Sequence, residues 1–300
     1  MVDITLQPEL LVHPEQTTLS ELQYPMKGVA LVIPHMLMGD QIETIPAVRY
    51  LRLFYQTVHL WVLTKNSEQI RLFYTDDPNI QIIVVGDNWW GQEKFYQSGH
   101  ISQYAPDNIY AFGIHAIKIY RVKINYVHIP FCFYNHMHLS PSIYWNYFHI
   151  NESPNAHKLY QLLANSSVTD YVFTHNETGY GPLFSINNIE KHANISHRNI
   201  LFINPNKNHY SSSSKFYQIA QKLVGHKIND YTQLMIHAKY LYLSDSSFFC
   251  LAMQLGILTD NCYLRSRGKV DYSYLWSFEY GFNNQIGHGS TASKKKFQMF

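Results

Sequence analysis

Short apolar runs alternate with helix-forming segments along the first third of the chain. Three runs of six residues, Gly28–Ile33, Val58–Leu63 and Ile80–Val85, are apolar and rich in β-branched residues, as strands buried on both faces are. Between them, Asp40–Tyr55 has apolar residues at three- and four-residue steps, which predicts an amphipathic helix, and Ser67–Tyr74 is a second helical segment. Strands that alternate with helices at this spacing pair in parallel through right-handed crossovers. The alternation therefore predicts an α/β fold.

The same alternation begins again near residue 155. The expected strands are Asp170–Thr174, Ile200–Ile203, Tyr240–Leu243 and Cys262–Leu264. The expected helices are Ala156–Ala164, Lys215–Val224, Asp230–Ala238, with Asp230 as its N-cap, and Ser246–Leu255, closed by Gly256. The aromatic-rich region 87–150 between the two series gives one short helix, Pro141–Tyr147. We predict two Rossmann-like domains with parallel sheets, over residues 1–150 and 151–283, and a flexible tail over 284–300.

The composition excludes several classes of protein. With 300 residues, 46% hydrophobic and 15% charged, the chain can bury a core and is not disordered. A net charge of +2 gives no bulk field that would attract nucleic acid. The three cysteines have no C-x-x-C spacing and are expected to be reduced thiols. Without a signal peptide or an apolar run long enough for a membrane span, we expect a cytoplasmic protein.

The first candidate site is the sequence Gly39-Asp40-Gln41, after the first predicted strand. A glycine there allows a close approach of the backbone to a ligand, and ligands bind at the carboxyl edge of open α/β sheets. A carboxylate at this edge can accept the proton of an attacking sugar hydroxyl. The alternative is that Asp40 is an ordinary helix cap, and the spacing alone leaves both interpretations open.

The second candidate site is the segment Ser244–Phe248, where a helix follows a strand directly. Its first amides and the helix dipole make an anion site that suits a diphosphate, without a metal bound by a carboxylate pair. Helix capping is again the alternative.

A third candidate is the polar loop Thr174–Gly181, in which His175 could contact a phosphate and Glu177 a ribose or base. An ordinary polar loop after a strand is the alternative. Trp89 could stack on a sugar, although packing at a core or domain interface explains it as well. No metal-binding spacing is recognisable among the histidines.

Two of these motifs together resemble signatures of the heptosyltransferase family. Gly39-Asp40 followed by Thr44–Leu51 is similar to its G-D-x-x-x-x-x-P-A-[LV]-x-x-L pattern. Asp245–Phe248, with Ala252 and Leu255-Gly256, resembles the second pattern, D-[ST]-G-x-x-H-x-A-A-x-L-G. Small glycosyltransferases of bacteria and giant viruses have a block similar to Asp230–Phe248. The resemblance extends in outline from Val29 to Leu264.

The resemblance implies a GT-B fold, in which two Rossmann-like domains face each other across a cleft. It implies an inverting, metal-independent transfer with Asp40 as catalytic base, and Gly39, Gln41 and Trp89 as acceptor contacts. The expected donor contacts are His175, Asn176, Tyr180, Gly181, Tyr231, Asp245, Ser246, Ser247 and Phe248. The co-substrate would be a nucleoside-diphosphate sugar, with no separate cofactor, and the acceptor a glycan or a lipopolysaccharide-like molecule reached by peripheral membrane contact.

Two departures from the family pattern concern the donor side. Tyr180 or a neighbour stands where an arginine that pairs with phosphate is expected, and Ser247 replaces a glycine. The donor's charge would then fall to His175, Arg265 or Arg267. Two other functions remain open on the sequence alone: a catalytically silent protein that binds sugar nucleotides or glycans, and a nucleotide-sugar epimerase that needs no acceptor.

Overall fold

The computed structural model describes residues 27–35, 37–87, 99–120, 131–166, 168–178, 181–257, 261–265 and 298–299. Trp89, Tyr180 and Arg267, which the sequence singles out, lie outside these ranges. No helix in the described ranges is both long and apolar enough to cross a bilayer.

Strands and helices alternate along most of the described chain. The strands are β1 (Lys27–Ile33), β2 (Tyr55–Leu63), β3 (Ile80–Val85), β4 (Ile109–Ala111), β5 (Tyr171–His175), β6 (Glu177–Thr178), β7 (Gly181–Pro182), β8 (Leu201–Ile203), β9 (Tyr240–Ser244), β10 (Cys262–Arg265) and β11 (Gln298–Met299). The helices are α1 (Met38–Leu51), α2 (Thr64–Phe73), α3 (Gly99–Ser102), α4 (Ile114–Tyr120), α5 (Phe131–His136), α6 (Ile143–Asn146), α7 (Pro154–Ala164), α8 (Ile186–Ala193), α9 (Tyr217–Lys222), α10 (Thr232–Ile236) and α11 (Ser247–Gln254). Short 3-10 turns lie at Pro106–Asn108 and Ile228–Tyr231.

The first sheet is parallel throughout and has the strand order β3-β2-β1-β4. Strand β1, one of its two inner strands, is buried on both faces. Its Ala30 and Val32 enter the main core, while Leu31 and Ile33 pack into a second cluster with Trp61. Burial on both faces is what the continuous apolar run of this strand predicts.

The second sheet is also parallel and has the order β11-β10-β9-β5-β8. Counted from β5, this is the 2-1-3-4-5 order of one common doubly wound fold. The prediction of an α/β chain with two Rossmann-like parallel sheets is confirmed. Within the predicted tail, β11 (Gln298–Met299) pairs with β10.

Helix α1 differs most from its prediction. Every position from Gln41 to Leu51 except Arg49 is buried, so the helix is not amphipathic. The expected solvent face is covered because α1 packs against α11 of the second unit and against α6 as well as against its own sheet. The helix also ends at Leu51 rather than Tyr55, which instead begins β2.

The two units contact each other through the starts of two helices. A methyl group on Gly39, the second residue of α1, would lie 3.2 Å from Sγ of Cys250 and 3.7 Å from the backbone nitrogen of Ser247 in α11. A second contact joins α2 to the 3-10 turn Ile228–Tyr231. There the side-chain oxygen of Gln69 accepts a hydrogen bond from the Ile228 amide at 3.0 Å. Because α1 and α11 each follow the carboxyl end of a strand, the carboxyl edges of the two sheets face each other.

Smaller departures from the predicted elements have local causes. Asp230 is not the N-cap of a helix: it lies within the 3-10 turn, where its carboxylate accepts hydrogen bonds from the Lys227 amide at 3.1 Å and from the Ser153 hydroxyl. The loop after β5 contains the antiparallel pair β6–β7. Helix α8, absent from the sequence prediction, is capped by Ser185 and Asn188.

Two glycines with positive φ provide a test of the packing at the carboxyl edge of the first sheet. Gly113 has φ +61°, and a Cβ there would overlap the ring of His35, whereas Gly225 has φ +83° and open space around its Cβ position. We expect Gly225→Ala to cost about 1 kcal/mol of unfolding free energy. Gly113→Ala should cost about 1–3 kcal/mol more, because the methyl group must also displace the His35 ring. Equal losses in denaturant titrations of the two variants would contradict this packing.

Candidate active site

The candidate site lies where the winding of the second sheet changes direction. In a 2-1-3-4-5 sheet this is the crevice at the carboxyl ends of the first and third strands, here β5 and β9. Strand β5 ends at His175 and β9 at Ser244, and the polar segments that follow them lie side by side. The fold therefore brings together two of the segments that the sequence singles out separately.

His175 forms hydrogen bonds through both ring nitrogens, one to the segment after β9 and one to the loop after β8. Its Nδ1 is 2.9 Å from Oγ of Ser246, and its Nε2 is 3.2 Å from the side-chain nitrogen of Asn206. Since the Asn206 amide can only donate, Nε2 accepts, and the ring proton lies on Nδ1, where it is donated to Ser246. Burial lowers the pKa of His175 to about 4, so the ring is neutral near pH 7. His175 therefore orients Ser246 and supplies no positive charge to a phosphate.

The loop after β8 completes this network, although the sequence analysis gave it no role. Asn206 also donates to the Glu177 carboxylate at 3.0 Å, and Asn204 donates to Oδ1 of Asn176 at 2.9 Å. Asn176 in turn donates to the carbonyl oxygen of Phe184 at 2.8 Å. The signal in the sequence is the polar run Asn204–His209 directly after a strand, which is informative only once β8 is known to lie beside β5.

The start of α11 presents backbone amides to the same edge. Ser246 is an extended N-cap whose side chain does not cap the helix, and internal bonding begins with the amide of Phe249 donating to the Ser246 carbonyl. The amides of Ser247 and Phe248 belong to the first turn, where the helix dipole favours negative charge. The Phe248 ring packs into the core against Phe173, so only its backbone faces the edge.

Arg265 is a cation at the carboxyl end of the strand beside β9. Its carbonyl oxygen accepts a hydrogen bond from the Asp245 amide at 3.1 Å, and its side chain is exposed. Lys207, in the loop after β8, is likewise exposed. The described part of this edge thus carries two lysine or arginine side chains beside a helix start.

Asp40 belongs to the first unit and lies next to the contact between α1 and the start of α11. It is the third residue of α1, half-buried, and its Oδ2 accepts a hydrogen bond from the Leu37 amide at 2.8 Å. The capping interpretation of Asp40 is thus correct in kind but not in position, because the N-cap is Leu37 and Asp40 lies three residues after it. It does not exclude the catalytic one, since a carboxylate has about four acceptor positions. Asp40 directly follows Gly39, which lies against Ser247 at the start of α11.

Other predicted contacts lie elsewhere. Gln41 is only 2% exposed, and its side-chain nitrogen donates to the His35 carbonyl at 3.3 Å, so it holds a loop in place and has almost no surface for an acceptor. Tyr231 is fully buried and packs beneath Phe248, with ring centroids 5.7 Å apart. Gly181, with φ +106°, is in the β6–β7 pair. Among the described residues, no three His, Cys, Asp or Glu side chains are grouped to hold a metal ion.

A separate cavity of about 800 Å³ lies at the opposite, amino edge of the second sheet. Its lining includes Asp170 and Lys239, which form an ion pair just before β5 and β9. Because ligands of open α/β sheets bind at the carboxyl edge, we place the candidate site at the His175–Ser246 network and not in this cavity.

Two solved structures are similar to this chain over most of its length. A glycosyl transferase of family 9 from Veillonella parvula DSM 2008 has 12% sequence identity and a TM-score of 0.46, with 80% of each chain covered. The ADP-heptose lps heptosyltransferase II of E. coli has 9% identity and a TM-score of 0.47, with 80% of this chain and 84% of that one covered. No family model and no curated protein matches the sequence.

The neutral state of His175 has a measurable consequence. Its pKa falls from 6.5 in the unfolded chain to about 4 in the folded one, so the unfolded state binds more protons between these values. The stability that the neutral His175 ring contributes, on the order of 3 kcal/mol of unfolding free energy, is therefore fully present above about pH 6.5. This contribution is lost as the pH falls toward 4. We expect His175→Gln to flatten this part of the stability–pH curve; an NMR titration midpoint near the unfolded value for His175 would contradict the assignment.

Proposed function

We propose that this chain is a glycosyltransferase that moves a sugar from a nucleoside-diphosphate sugar to a hydroxyl group of a glycan or a similar acceptor. The observation that carries the proposal is the meeting of two helix starts. Asp40 is the third residue of α1 on one unit, and the preceding Gly39 lies against Ser247, the first residue of α11 on the other. A base and an anion site that face each other are what such a transfer requires.

On the donor side, the diphosphate binds at the first turn of α11. The amides of Ser247 and Phe248 and the hydroxyl of Ser246 donate to its oxygens, and the helix dipole stabilises the charge that grows on them as the sugar leaves. The neutral ring of His175 holds Ser246 in place. Arg265 supplies the positive charge that an arginine of the loop after β5 would supply in the family pattern.

On the acceptor side, Asp40 accepts the proton of the attacking hydroxyl. The acceptor oxygen forms a bond to the anomeric carbon from the face opposite the diphosphate, and the bond from that carbon to the phosphate oxygen breaks. The nucleoside diphosphate leaves with the electron pair of that bond. Because the acceptor attacks from the opposite face, the configuration at the anomeric carbon inverts. Two sequence features support this arrangement: the G-D…P-A pattern around Asp40 and the D-S-S-F pattern at α11, one on each unit.

The first test is the variant Asp40→Asn. The amide oxygen of Asn still accepts from the Leu37 amide, so the helix cap and the fold should persist, whereas the base is lost. We expect kcat for transfer to fall at least about 100-fold, the low end of what a general base contributes. The measurement is product formation from a panel of nucleoside-diphosphate sugars with glycan acceptors.

The control is Asp170→Asn, which removes an aspartate at the opposite edge of the second sheet. It should leave kcat unchanged. Equal turnover of the Asp40→Asn variant and the wild type would eliminate Asp40 as the base. Donor binding without turnover in the wild type would instead indicate a silent binding protein, and product formed without an acceptor would indicate an epimerase.

The second test concerns the donor's charge. Arg265→Gln should raise the KM for the nucleotide sugar about 10-fold, the value of roughly one charge-assisted hydrogen bond, with a smaller effect on kcat. Arg198→Gln is the matched control, because it removes an exposed arginine just before β8, at the amino edge of the same sheet. If both variants raise KM equally, Arg265 acts only through net charge.

A further inference from the structure

Glu43 is a buried carboxyl group that the proposed transfer does not use. It lies one helical turn after Asp40, is only 7% exposed, and faces α11 of the other unit. Its Oε1 accepts a hydrogen bond from the Cys250 thiol, with 3.4 Å between oxygen and sulfur. Buried carboxylates are rare without a cationic partner, because burial without one costs free energy.

In the described part of the chain, the titratable groups that interact with Glu43 are acidic or neutral. They come from α1, from the segment before α11, from α11 itself, and from α5 and α6: Asp40, Asp245, Cys250, Cys132, Tyr134 and Tyr144. Burial, followed by the charge of Asp40, raises the pKa of Glu43 well above its usual value. Both causes favour the protonated form, since ionisation would place a third negative charge beside Asp40 and Asp245.

Cys250 connects Glu43 to the closest approach of the two helices. The same sulfur that bonds Glu43 lies against Gly39, where a Cβ would come within 3.2 Å of it. Gly39, Asp40 and Glu43 are all within the first two turns of α1. The thiol thus contacts α1 on both sides of Asp40 along the chain, so it holds the segment of α1 that carries Asp40 against α11.

We propose that Glu43 is a positioning residue that, through its contact with Cys250, sets the place of Asp40 opposite the start of α11. This inference rests on the proposed transfer, in which Asp40 is the base. Ionisation of Glu43 as the pH rises would repel Asp40 and Asp245 and loosen the contact between the two units. Transfer would then decline with rising pH for a reason other than titration of the base itself.

The kinetic test compares Glu43→Gln with Glu43→Ala. Gln keeps a neutral group with an acceptor oxygen for the thiol, so the kcat of this variant should stay close to that of the wild type and should not show the decline with rising pH. Ala removes the contact, and a displacement of the base by about 1 Å is expected to lower kcat about 100-fold with little change in the KM for the donor. Glu68→Gln is the control, since Glu68 is an exposed glutamate of α2 and lies outside the site.

A second measurement does not depend on activity. Because the folded pKa of Glu43 is raised, the unfolded state loses this proton first as the pH rises, so stability falls above the unfolded value near 4.5. Glu43→Gln should remove this decline from unfolding free energies measured between pH 5 and pH 8, and Glu68→Gln should not.

The outcomes separate the two proposals. A wild type without transfer activity on any donor removes the proposed function, while the stability curves still show whether Glu43 is a neutral contact. An active wild type whose Glu43→Gln variant loses as much kcat as Glu43→Ala, or keeps the stability decline of the wild type, overturns the role of Glu43. Rescue by Gln together with a flattened curve supports it.

Discussion

The contact between the starts of α1 and α11 is the constraint on which the rest of the structure depends. Two helix N-termini that meet present two partial positive charges to each other, which is unfavourable unless negative groups lie nearby. Asp40 in the first turn of α1 and Asp245 just before α11 provide such groups. Gly39 permits the close approach, because any larger side chain would press on Cys250. At the open edge, the first-turn amides of α11 favour an anion for the same reason.

The parts of the fold that the sequence predicts are those that depend on contacts between residues close together in the chain. Strand β3 matches its predicted bounds, and the parallel pairing of both sheets follows from the alternation of strands and helices, because these patterns depend on neighbouring residues. The amphipathic prediction for α1 failed for the opposite reason. The face that seemed polar enough for solvent, including Gln41, Glu43 and Thr44, is covered by segments far away along the chain.

The same distinction applies to the candidate site. Paired signatures select Asp40 and Ser246–Phe248 as candidates, since each is a short motif at the end of a strand, and the structure places their helices in contact. Asn206 could not be found this way, because its role depends on the adjacency of β8 and β5, 31 residues from its partner His175. Glu43 meets its thiol partner across a separation of 207 residues, which no local pattern reveals.

The neutrality of His175 changes how the charge of a donor would be met. A protonated histidine at the end of β5 would attract a diphosphate but would also repel the positive end of α11, which lies beside Ser246. Burial removes that conflict by keeping the ring neutral, and Asn206 fixes its tautomer. The ring then acts on Ser246 by donating to its oxygen, which directs the hydroxyl proton away from His175 and toward the open edge. The side chains with full positive charge, Arg265 and Lys207, lie exposed at the edge, where hydration lowers the free-energy cost of the charge.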